Sequence, residues 1–147
     1  MIVNCINNVS YPNKMPSFKH YNVKKKTLLY SFTTETDFFR SDVNWDKFVE
    51  LLYLKYKNTD KVNLICHACS DGEEAYSLAV KLISKFGEKA EKFFPIIARD
   101  VDFGNIELAK EGSFVVDGDE LNLINSHSKL NISEYFDIPI NKNEIKN

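Results

Sequence analysis

The sequence predicts an α/β fold built on a parallel sheet, and three observations carry that prediction. Residues 62–67, VNLICH, form a short β-favouring apolar run. Residues 73–86 follow it with a strongly apolar helical pattern after a Ser-Asp-Gly break. A second apolar run at 93–98, FFPIIA, then leads into a second helical segment at 103–111. Strand, helix, strand, helix at this spacing implies right-handed crossovers and parallel strands.

The chain has 147 residues, enough for one domain with a sizeable core. It is 44% hydrophobic and 27% charged, which excludes disorder over most of its length. A net charge of -2 gives no electrostatic case for a nucleic-acid partner. The basic run Lys24-Lys25-Lys26 reads as a solvated loop. No apolar segment is long enough for a membrane span, and the N-terminus does not read as a signal peptide. Three cysteines without framework spacing fit a reduced, cytoplasmic protein.

Taken in order, residues 1–31 read as an irregular segment rich in Asn and Pro, with a short strand possible at 26–32. Ser41 or Asp42 is placed to cap the helix that follows. In it Trp45, Phe48, Val49, Leu52 and Tyr56 share one face. Helix 73–86 is apolar on more than one face, and Gly87 is placed to stop it. Asp102 caps the helix at 103–111, and Gly112 ends it. Beyond, 121–124 and 132–136 read as short helical turns, and NKNEIKN as a frayed tail.

The loop between the first strand and its helix is the natural place for a ligand in such a fold. Its chemistry excludes a dinucleotide fingerprint: Gly72 is the loop's one glycine, and Glu73 and Glu74 follow at once. Two carboxylates in a first helical turn suit the helix dipole but repel phosphate, so a ligand carrying an ammonium or sulfonium is favoured. Asp100, at the end of the second strand, can accept hydrogen bonds from ribose hydroxyls. A ribose, a positive charge and no phosphate together point to S-adenosylmethionine. The bland alternative stands beside this: Glu73 and Glu74 as dipole-matching residues and Asp100 as a turn residue. A thiol redox protein is a rival reading, from Cys66-His67-Ala68-Cys69 between strand and helix. Ser-Asp-Gly delays the helix past the second cysteine, so the helix dipole acts closely on neither thiol. No metal site is expected, because Cys5, His20 and His127 are scattered.

Three stretches, in order, resemble one family, the chemotaxis-receptor (CheR-type) protein-glutamate methyltransferases. The family pattern TTNETSFFR is similar to residues 33–40, TTETDFFR; GCSTGEEPYSLA is similar to residues 68–79, ACSDGEEAYSLA; and ATDIDTEALEKARRGIY is similar to the stretch that opens Ala98-Arg99-Asp100-Val101-Asp102. The resemblance implies a Rossmann-like parallel sheet of the class I methyltransferase type and S-adenosylmethionine as cofactor. It implies methyl transfer to a glutamate carboxylate of a protein substrate. Glu73 would bind the amino group of the methionine part, Asp100 the ribose hydroxyls, and Ala68, Ser70 and Gly72 would let the backbone pass close to the cofactor. Arg40 would sit beside the transferring methyl, with Thr33 and Thr36 along the same wall. The chain departs from the pattern at Ala68, Asp71, Ala75, Thr34 and Arg99. The resemblance covers residues 32–136 and lacks the family's later strands, so 32–147 reads as a partial, incomplete domain. A second copy or a partner would cover its open sheet edge. A remnant that binds cofactor or a partner without catalysis is the alternative.

Overall fold

The computed structural model describes residues 36–112, 114, 116 and 118–128. The expectations for residues 1–31, 26–32, 132–136 and the tail lie outside them, as does Thr33. The elements run α1 (Trp45–Lys55), β1 (Leu64–His67), α2 (Glu73–Phe86), a 3-10 segment (Gly87–Phe93), β2 (Ile96–Arg99), α3 (Phe103–Glu111) and α4 (Gly118–His127).

The two strands pair in parallel, with Leu64 opposite Ile96 and His67 opposite Arg99. Helix α2 makes the crossover between them, so the strand–helix–strand unit is as predicted. β2 buries Ile96 and Ala98 completely, whereas β1 leaves Ile65 44% exposed. α2 is the centre of the packing. Ala75, Leu82 and Ile83 are buried on it, and α1, α4, the 3-10 segment and β2 all contact it. Tyr53 of α1 stacks on Phe86 of α2, ring centroids 4.3 Å apart. Side chains of this size contribute roughly 1.5–3 kcal/mol each when fully buried.

Several boundaries differ from the sequence reading for physical reasons. Asn44 caps α1, its Oδ1 accepting from Lys47 N at 3.0 Å. Asp42 does not, because its carboxylate is taken by Arg40. Phe48, predicted on the buried face of α1, is 46% exposed. β2 begins at Ile96 rather than 93, since Pro95 has no N–H for the ladder and the 3-10 segment occupies 87–93. α4 spans ten residues where a short turn was expected. Helix α3 has the predicted bounds. Asp102 Oδ1 accepts from Gly104 N at 2.7 Å, and Gly112 closes the helix in the left-handed region at φ 60°.

Candidate functional site

The sheet's C-terminal end gathers the predicted residues. After His67 the chain turns sharply, and two non-glycine residues adopt left-handed backbone: Ala68 at φ 54° and Ser70 at φ 48°. Such conformations cost an L-residue roughly 1–2 kcal/mol each. The turn is held by backbone bonds, Cys69 N donating to Arg99 O at 3.0 Å and Gly72 N to Cys69 O at 2.8 Å. Asp100 completes it. Its Oδ2 accepts from Ser70 N at 2.8 Å and its Oδ1 from Asp102 N at 2.8 Å. Each oxygen keeps a lone pair for a ligand hydroxyl.

Gly72, at φ 108°, is the residue on which α2 starts. A Cβ there would meet Ala109 Cβ and the Tyr76 ring, both at 3.1 Å. Glycine therefore permits both the turn and the approach of α3, which Tyr76 secures by donating to Ala109 O at 3.0 Å.

Glu73 opens α2 with a carboxyl pushed up to about 8. Burial is the main cause, followed by the negative charges of Asp71, Glu120 and Asp37. The Thr36 hydroxyl lies close enough to favour the carboxylate, but it does not reach hydrogen-bonding geometry, so burial prevails. Glu73 Oε2 and Thr36 Oγ1 are both buried with no partner among the described residues. A buried carboxyl oxygen lacking a donor and surrounded by like charge is a site for a cation with N–H groups.

Arg40 lines a cleft of about 990 Å³ between residues 37–46 and α4, a cleft that neither Glu73 nor Asp100 lines. Its guanidinium grips Asp42 in a forked pair, Nη2 to Oδ2 at 2.9 Å and Nε to Oδ1 at 3.2 Å. That hydrogen bond, reinforced by the Asp42 charge, raises the guanidinium pKa and lowers that of Asp42. Arg40 is 44% exposed, so the pair is one that solvent and a competing carboxylate can reach. Arg40 makes no hydrogen bond to Glu73 or Asp100; Glu74 and Asp37 act on it only through their charge.

The sequence reading missed a polar stripe on α2. Glu73, Ser77, Lys81 and Lys85 recur every four residues and so share one helix face. Ser77 Oγ donates to Glu73 O at 2.8 Å and accepts from Phe39 N at 2.9 Å, docking the segment that carries Arg40. The i, i+4 recurrence of polar residues in an otherwise apolar helix was the available signal.

Cys66 is half-buried in β1 and Cys69 is 1% exposed; neither forms a disulfide among the described residues. Among the described residues no cluster of three or more His, Cys, Asp or Glu could hold a metal ion.

The family profile described as CheR methyltransferase, SAM binding domain, matches residues 34–139, which is most of the chain. The chain belongs to the CheR methyltransferase family. It is therefore an S-adenosylmethionine-dependent methyltransferase by family, with S-adenosylmethionine as the cofactor that its domain implies. No curated protein and no solved structure matches the chain. The residues matched by the family model include Glu73, with its buried carboxyl oxygen that has no partner among the described residues, Asp100 at the end of β2, and the turn that joins β1 to α2. No helix among the described residues is long and apolar enough to cross a membrane.

Proposed function

We propose that this CheR-family chain methylates a carboxylate, on a glutamate side chain of a protein, in the cytoplasm. The observation that supports this most is the orphaned Glu73 carboxyl at the head of α2. On this reading Glu73 takes the cofactor's ammonium, Asp100 its ribose hydroxyls, and the backbone of 68–72 lies along it, with Thr36 on the arm, residues 36–43, that carries Arg40. When bound, S-adenosylmethionine supplies an electrophilic methyl group on a cationic sulfur. The acceptor carboxylate is ionised at neutral pH, so no residue need act as a strong base. Arg40 instead aligns it, exchanging Asp42 for the substrate in the same forked geometry. Alignment and exclusion of water supply the acceleration.

Titration calorimetry with S-adenosylmethionine and S-adenosylhomocysteine tests the binding half. Asp100→Ala should weaken binding by about 10- to 100-fold, the effect of roughly 1.5–3 kcal/mol. No heat at high ligand concentration would sink the reading.

A second reading is favoured by the Arg40–Asp42 pair, which fills the guanidinium from within the chain. It is a protein that holds the cofactor and transfers nothing. Binding without methylation of glutamate-containing proteins, in the presence of the cofactor, would select it.

A further inference from the structure

Lys81 is a buried lysine whose two side-chain partners come from two different helices. Only 8% of its side chain is exposed. Its Nζ lies 2.9 Å from Asp46 Oδ2, at the start of α1. It lies 3.3 Å from His127 Nδ1 and 3.4 Å from His127 O, at the end of α4. An ammonium only donates, so Nδ1 is the acceptor and His127 is neutral, with its proton on Nε2. The imidazole then stacks flat on Phe39, ring centroids 4.3 Å apart and planes 8° from parallel. Phe39 is held from its other sides by Ser77 Oγ and by the edge of Trp45 at 5.7 Å. Trp45 Nε1 donates to Arg40 O at 3.2 Å. The two cleft walls thus converge on one ammonium, and the backbone of Arg40 is tied to them through Trp45 and Phe39.

We propose that Lys81 is a positioning residue for methyl transfer: it clamps α1 to α4 across α2 and, through the His127–Phe39 stack, fixes the arm that presents Arg40. The proposal rests on the reading that Arg40 faces the methyl acceptor. It assigns Lys81 no contact with cofactor or acceptor. Burial, and then the Lys81 charge, hold the imidazole below its ordinary range, in keeping with an acceptor Nδ1; Asp46 opposes this. The charged groups facing His127 are Lys81 of α2 and Asp46 of α1, with Asp37, Arg40, Asp42, Asp119 and Glu120 on the cleft it lines. Protonating His127 removes the acceptor and sets two cations side by side, so acid should release the clamp.

Trp45 is the chain's one tryptophan and reports the arm directly. Three variants, Lys81→Met, Lys81→Arg and His127→Gln, are compared with the wild type by Trp45 emission, cofactor calorimetry and methyl-transfer kinetics. Lys81→Met should shift Trp45 emission and lower transfer by about 10-fold or more, the effect of roughly 1.4 kcal/mol, while the cofactor Kd stays within about twofold. Lys81→Arg, which keeps the charge and donors, should restore most of both. Wild-type emission should step as pH falls below about 6.5, the ordinary imidazole value, and the step should vanish in His127→Gln. Unchanged emission in Lys81→Met overturns the proposal. So does parallel loss of cofactor binding and transfer in that variant, which marks a purely structural role; if Lys81→Met fails to fold, a pH step retained in His127→Gln overturns it instead. A wild type that neither binds cofactor nor transfers a methyl refutes the proposed function, while the emission measurements still decide whether the clamp exists.

Discussion

The two ends of the sheet are built on opposite terms. At the end where the strands begin, polar groups are matched to backbone. Lys61 Nζ donates to Phe94 O, Lys92 Nζ to Tyr56 O at 2.6 Å, and Val62 N to Lys92 O at 2.7 Å. Lys92 also lies over the Tyr53 ring at 4.7 Å. At the end where the strands finish, Thr36 Oγ1, Glu73 Oε2, Arg99 Nε and Asn105 Nδ2 are buried without partners among the described residues, and Ala68 and Ser70 hold left-handed backbone. Unmatched buried polar groups each cost roughly 1–3 kcal/mol. A fold that keeps them at one end and not the other has concentrated its strain where a ligand can relieve it.

The comparison can be broken most severely at Gly72. Gly72→Ala combines an unfavourable φ with contacts at 3.1 Å, and should cost about 3 kcal/mol in chemical denaturation. Gly87→Ala, where a Cβ meets nothing within 4 Å but φ 55° and ψ -132° lie outside the regions open to L-residues, should cost about 2 kcal/mol from backbone strain alone.

Glu73 gives a pH signature of intermediate size. Its folded pKa of about 8 lies above the unfolded 4.5, so the neutral carboxyl is the form that the fold favours. Its contribution to stability is full below the unfolded value and is lost as pH rises through the folded one. Thermal melts of the cofactor-free protein should therefore show stability falling between pH 4.5 and about 8, by roughly 2 kcal/mol once solvent contact is allowed for. Glu73→Gln should flatten most of that decline. The smallest expected effect is at Ala68. Ala68→Gly relieves a left-handed alanine but adds unfolded-state entropy, for a net gain of about 0.5 kcal/mol in the same denaturation assay. A loss instead would mean that the methyl group packs usefully.

Much of this end was legible in the sequence. Gly72, Glu73 and Asp100 were placed by the strand–turn–helix pattern alone, and α3 was bounded correctly by Asp102 and Gly112. These are local signals: a cap, a stop, a charge in a first turn. What escaped were features decided by tertiary partners. Asp42 looks like a cap, yet Arg40 claims its carboxylate, and Asn44 takes the role. Phe93 and Phe94 look like strand, but both are buried ahead of Pro95, and the ladder starts after it. His127 looked like an isolated histidine because Lys81 and Phe39, its neighbours in space, are distant in the chain.

The four-residue recurrence along α2 has a consequence for how the chain can change. One helix touches the ligand end at Glu73, the arm at Ser77 and both cleft walls at Lys81. Single substitutions can weaken these contacts one at a time. Insertion or deletion of one residue between Glu73 and Lys81 cannot be absorbed in that way, because it turns everything beyond by about 100° and moves it about 1.5 Å along the axis. Lys81 would then be carried away from both Asp46 and His127. The spacing of Glu73, Ser77 and Lys81 along α2 is thereby fixed, whatever residues occupy the positions between.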